Sequence, residues 1–213
     1  MTMNEMTAGR RYRGQDMEDR RAERRQRLLE AGLSVFGEAG YHGATVRSIC
    51  AAAGLTERYF YESFANSEDL LCAVYEAHMV LQQQRIMASV LAAPREPRLM
   101  VEAGLRAFFE LAREIPAAAR VQFVEVLGVS PRVDKLYRQS IENFAQMMRT
   151  LNLQMPQGGG LRDDETLSIG LVGAAVGIAS RWLLSGFAQP LEDMLATTLL
   201  IFMGTWQQAQ IEN

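Results

Sequence analysis

Apolar side chains recur every three or four residues along almost the whole chain, and no stretch alternates at the period of two that a half-buried strand requires. The pattern predicts an all-α protein of about nine helices. The first covers residues 19–39, with Leu28, Gly32, Val35, Phe36 and Ala39 on one face and Gly40-Tyr41-His42-Gly43 as its stop. Two short helices follow within residues 45–64. Asn66, with Asp69 three positions on, forms a shortened capping box and opens a long helix reaching about Leu91. Pro94 and Pro97 interrupt the chain. Residues 99–115 are apolar nearly all round, as a buried central helix would be. Pro116 and Ser130-Pro131 carry start signals for helices ending near Leu127 and Leu153. Residues 154–162, with Pro156 and Gly158-Gly159-Gly160, read as a loop.

Two last helices, 163–185 and 190–208, are nearly free of charge. In the first, Leu167, Leu171, Ile178 and Trp182 share one face, and Gly170, Gly173, Gly177 and Ser180 another. Crossing a bilayer takes roughly 20 apolar residues. The uncharged runs are shorter and contain Arg181 and Asp193 at their margins, so no membrane is expected. Each helix instead has two faces to bury, one in its own core and one against a second copy of the chain. Gly170, Gly173, Gly177, Leu195, Leu199 and Phe202 are the candidates for that homodimer interface.

Within residues 45–64, Thr45 can cap a helix whose Ile49, Ala52 and Ala53 form an apolar face, Gly54 can end it, and Thr56 can cap a second helix with Tyr59 or Phe60 and then Phe64 inward. Small Cys50 lets the two cross closely. This is a helix-turn-helix, a motif whose second helix enters the DNA major groove. Thr56, Glu57, Arg58, Tyr59 and Ser63 are its outward candidates. Arg58 and Glu57 have the chemistry to read guanine and cytosine, while Thr45, Arg47 and Tyr61 are placed for phosphate.

The surroundings make the motif specific. Leu28-Leu29, Ala31, Phe36, Gly40-Tyr41, Thr45-Val46, Ile49, Ala53-Gly54-Leu55-Thr56, Phe60-Tyr61, Phe64 and Leu70-Leu71 together closely resemble the DNA-binding region of the tetracycline-repressor (TetR) family, over about a quarter of the chain. The polar, basic composition of residues 1–18 predicts a flexible arm; the resemblance implies a DNA-binding domain at 19–66 and a ligand-binding and dimerisation domain at 67–213. It also implies that the last two helices pair with their counterparts in a four-helix bundle. A repressor released from an imperfect palindromic operator by a small apolar or aromatic effector would follow. Met79, Phe108, Phe109, Phe123, Phe144, Met147 and Trp182 are the residues this chain supplies around such an effector, with His78, Gln122, Glu125 and Asn143 to orient it. Two positions depart from the family pattern: Arg58 stands where glycine is common, and Ser67 where a lysine usually meets phosphate. Ser67 still offers a hydroxyl and a backbone N–H at a helix start.

Charge and composition limit the alternatives. A net charge of −3 excludes a chain that coats nucleic acid throughout. It still permits a local basic head, and eight arginines stand between Arg10 and Arg27. Cys50 and Cys72 lack metal-ligand spacing and suit a reducing cytoplasm. The N-terminus has no apolar run of the kind a signal peptide needs. His42 and His78 have no ligand partners at metal spacing, and the glycine triplet lacks the residues of a phosphate loop, so neither catalysis, metal nor cofactor is expected. The rival reading is a helical dimer that binds a ligand or a protein without reading DNA.

Overall fold

The computed structural model describes the backbone of residues 3–153 and 165–211 and the side chains of residues 17–151 and 165–205. The loop expected at 154–162 lies outside the described residues. Among those described, the chain forms nine α-helices and one π-helical turn, and no strand. It divides into two compact units, Met1–Val74 and Tyr75–Asn213.

The first unit holds α1 (Met3–Ala39), α2 (Val46–Ala53), α3 (Glu57–Tyr61) and the opening of α4 (Ser67–Ala92). The backbone of α1 is helical well before residue 19, where the apolar face begins. Thr45 caps α2 as expected: its Oγ1 accepts from Ser48 N at 3.0 Å, while Ser48 Oγ accepts from Thr45 N at 3.0 Å. Serine thus plays the part glutamate or glutamine usually plays in a capping box. Gly54 ends α2 at φ 62°, which glycine reaches without the penalty of a Cβ. Leu28, Phe36, Ile49, Phe60, Leu70 and Leu71 are completely buried, each adding about 1.5–3 kcal/mol by burial. Gly32 permits the approach of α1 to Leu70, since a Cβ there would lie 2.9 Å from Leu70 Cδ2. At the start of α4, Asp69 N donates to Asn66 Oδ1 at 2.8 Å, and Ala65 N donates to Asp69 Oδ2 at 3.1 Å.

The second unit contains the rest of α4, α5 (Pro97–Glu114), α6 (Pro116–Arg120), a π turn (Val121–Glu125), α7 (Pro131–Leu153), α8 (Glu165–Leu184) and α9 (Leu191–Ile211). The single helix expected from Pro116 is therefore interrupted: Val126 N reaches back five residues to Val121 O at 3.3 Å. α8 packs against α7 and α9 and also meets α5 and α6, and α5 lies along α9. A bidentate pair, Arg106 to Glu192 at 2.6 and 2.9 Å, ties α5 to the first turn of α9. Those two hydrogen bonds hold the Glu192 carboxyl below the usual carboxylate range.

The outer faces of α8 and α9 differ from expectation. By length and hydropathy α8 is apolar enough to cross a membrane, although the sequence reading judged its uncharged run too short, and only 28% of it is buried. Gly170, Gly173 and Gly177 are exposed, and a Cβ on any of them would meet nothing within 4 Å. On α9 the assignment needs correction. Leu195 and Leu199 are buried with Leu105, and Phe202 packs on the same cluster, so all three serve the protomer's own core. The outward residues are instead Ala196, Thr197, Leu200, Ile201 and Gly204, with Leu200 75% exposed. The helical period was right, but which of its two apolar faces turned inward was decided by α5.

Candidate nucleic-acid interface and apolar cavity

The short α3 presents most of its predicted face. Thr45, Arg47, Thr56, Glu57, Arg58 and Tyr61 are exposed, while Tyr59, Ser63 and Ser67 are half-buried. The Arg58 side chain is 85% exposed and meets Glu62 Oε1 through Nε at 3.3 Å. Such a pair on an open surface contributes at most about 1 kcal/mol, so the guanidinium is readily re-aimed. Thr56 makes no side-chain cap bond. Thr45 is already engaged in its cap. Tyr59 lies under the Arg24 guanidinium, 4.5 Å from its carbon to the ring centroid, which fixes the ring against α1.

Part of the basic run is structural, a role the sequence reading did not assign. Arg21 donates to Glu62 O at 2.9 Å, Arg25 to Ser63 O at 3.2 Å, and Arg27 to Ala53 O at 2.6 Å. These carbonyls sit at the C-terminal ends of α2 and α3, where unpaired acceptors and the helix dipole attract a cation. The signal was present: Arg21, Arg24, Arg25 and Leu28 follow the i, i+3, i+4, i+7 spacing of one helix face.

In the second unit a cavity of about 140 Å³ is bounded by α4, α5, the π turn, α7, α8 and α9. Along α4 its wall is Tyr75, Met79, Gln82, Ile86 and Val90, and along α7 it runs from Tyr137 through Phe144 and Met147 to Leu151. At a rise of 1.5 Å per residue each wall extends about 21–22 Å. Met79, Met100, Met147, Met148 and Met203 line it, and such unbranched side chains yield readily to an occupant. The π turn directs both Gln122 and Phe123 to the wall.

Of the expected cavity residues, Met79, Phe108, Phe123, Phe144 and Met147 line it. Phe109 and Trp182 do not. Their rings meet edge to face at 5.9 Å, Trp182 packs on Phe187 at 4.8 Å, and its indole N–H donates to Gln189 O at 2.8 Å. Both are core. Gln122 is at the wall, whereas Glu125 pairs with Arg120 at 2.9 Å and exposed Asn143 borders an outer groove between α4 and α7. Tyr75, Gln82, Tyr137 and Ser140 are polar wall residues the sequence reading missed. Burial raises the Tyr75 phenol to about 12, partly offset by a hydrogen bond with Ser140. Burial lowers His78 to about 4, partly offset by Gln122.

Residues 28–74 match the family model described as bacterial regulatory proteins, tetR family. The HTH-type transcriptional activator FasR of Mycolicibacterium smegmatis is 27% identical over 166 residues, spanning 76% of this chain and 74% of FasR. Transcriptional regulator FadR from Bacillus subtilis, solved in complex with stearoyl-CoA, has a TM-score of 0.73 at 16% identity, over 84% of this chain and 98% of FadR. AibR, solved with isovaleryl coenzyme A and operator DNA, has a TM-score of 0.64 at 18% identity, over 84% of this chain and 97% of AibR. At these identities the two structures speak for the fold.

Proposed function

We propose that the chain, whose residues 28–74 match the tetR family of bacterial regulatory proteins, is a cytoplasmic, homodimeric repressor of that family that leaves an imperfect palindromic operator when an effector bearing an apolar chain enters the cavity. The observation that carries the effector reading is the cavity itself, with walls about 21–22 Å long and almost wholly apolar. Walls of that reach and composition suit an apolar chain. FadR and AibR, each solved with an acyl-coenzyme A, support the same class of occupant. Arg58 and Glu57 read bases, and Arg47, Tyr61, Thr56 and the start of α4 at Ser67 hold phosphate. Roles of regulator rather than enzyme follow from the family, and FasR's name as an activator makes the sign of control the point to measure.

The test begins with selection of duplexes from a random pool by the purified protein, followed by titration against salt. Sequence-specific binding whose logarithm falls linearly with the logarithm of salt concentration is expected. Absence of any preferred duplex supports the rival, a helical ligand- or protein-binding module. A reporter driven from the selected operator gives the sign, with loss of the protein expected to raise expression. Effector and operator must also oppose each other equally: a coupling of about 1–3 kcal/mol weakens each for the other roughly 5–150-fold.

A further inference from the structure

The cavity wall is apolar apart from Tyr75, Gln82, Gln122, Tyr137 and Ser140. Gln82 and Gln122 are 1% and 5% exposed and bind each other through both amides, Gln82 Nε2 to Gln122 Oε1 at 3.2 Å and Gln122 Nε2 to Gln82 Oε1 at 3.0 Å. Each amide thereby spends one N–H and one lone pair on its partner; Gln122 also bonds with His78, while Gln82 keeps a second N–H and lone pair for something else. His78 is not itself a wall residue; it lies beside Gln122 and hydrogen-bonds with that side chain. Among the described residues that line the cavity there is no Asp, Glu, Lys or Arg.

These facts set the charge of the occupant. An ionised group brought here would shed its water and find no counter-charge, a penalty that neutral donors do not repay. A wholly apolar occupant would leave the spare valences of the amide pair unused. We propose that the Gln82–Gln122 pair receives an uncharged carbonyl, amide or hydroxyl group at the head of the apolar chain, and that free carboxylates of the same chain length are rejected. The proposal rests on the reading of this cavity as the effector site.

Isothermal titration of the full-length protein at pH 8 with decanamide, 1-decanol, methyl decanoate and sodium decanoate tests it. The three neutral compounds are expected to bind at least about tenfold tighter than decanoate. Decanoate binding as tightly as decanamide overturns recognition by the amide pair while leaving the cavity an effector site. Failure of all four to bind overturns both readings. The double variant Gln82→Met with Gln122→Met removes both partners at similar volume. It should weaken decanamide about tenfold and leave 1-chlorodecane unchanged, and an equal loss for both compounds counts against the proposal. The series on the unaltered protein decides the matter even where the variant does not fold.

Discussion

Arg58 and His78 show how one side chain's surroundings set what it can do. Arg58 projects into solvent with only Glu62 to hold it, so nothing costly must break before it reaches a base edge. Replacing it with alanine is expected to cost about 1–3 kcal/mol at one operator position and to relax preference there, as read by binding to single-base variants of the selected duplex. Tyr61→Phe should weaken every sequence alike. His78 is the opposite case, buried and held at about 4 against an ordinary 6.5. Between those values the unfolded chain binds a proton that the folded one refuses, so stability rises with pH through that window. On lowering the pH from 7 to 4, melting experiments should show a loss on the order of 3 kcal/mol from this group. His78→Gln should flatten that part of the profile. The exposure of Arg58 and Tyr61 was legible, because Phe60 and Phe64 mark the inward side of the same turns. The capture of Tyr59 by Arg24 was not, since it depends on how α1 crosses α3.

At the scale of elements, the head depends on helices too short to persist alone, and caps make up the difference. α3 has five residues and α2 eight, well below the roughly 12–15 at which isolated helices become marginal. Thr45→Ala removes a reciprocal cap and should cost about 1 kcal/mol in chemical denaturation. Gly54→Ala should cost more, because alanine must hold φ 62° and its Cβ would sit 3.0 Å from Arg27 Nη2. A gain in stability at either position would remove capping from the account. Helix starts at Thr45, Asn66, Pro116 and Pro131 could be read from local chemistry alone, since a cap is a short-range event; Pro97, expected to interrupt the chain, instead opens α5. The π turn could not, because no residue in Val121–Glu125 departs from ordinary helix formers and the extra residue is set by packing. For the same reason Phe108 and Phe109, neighbours about 100° apart on α5, were indistinguishable in sequence. One faces the void and the other faces Trp182.

At the scale of the whole molecule, the argument turns on a surface that one chain leaves bare. α8 offers exposed Gly170, Gly173, Gly177 and Leu184, and α9 offers exposed Leu200 and Ile201. Water contact along such a surface is unfavourable by roughly 25 cal/mol for each Å² of apolar area, and pairing with a second copy removes it. Gly173 gives a test in which the two accounts predict opposite signs. Inside one protomer a side chain there would touch nothing within 4 Å. Gly173→Leu should therefore stabilise an isolated protomer, by about 0.5–1 kcal/mol, through better helix propensity. In a dimer whose α8 helices cross closely the same leucine overpacks the interface and should cost about 1–3 kcal/mol. Leu195→Ala serves as the contrast, since Leu195 is buried beside Leu105 and its loss should lower protomer stability through a cavity. Sedimentation at micromolar concentration is expected to show a wild-type dimer and a Gly173→Leu monomer that keeps its helix content. Because a two-fold protein matches half-sites about 34–36 Å apart only as a pair, that monomer should also lose palindrome binding while retaining weak affinity for a single half-site. A wild-type monomer, or a Gly173→Leu dimer with undiminished operator affinity, would move the interface elsewhere and leave the bare face of α8 to another partner.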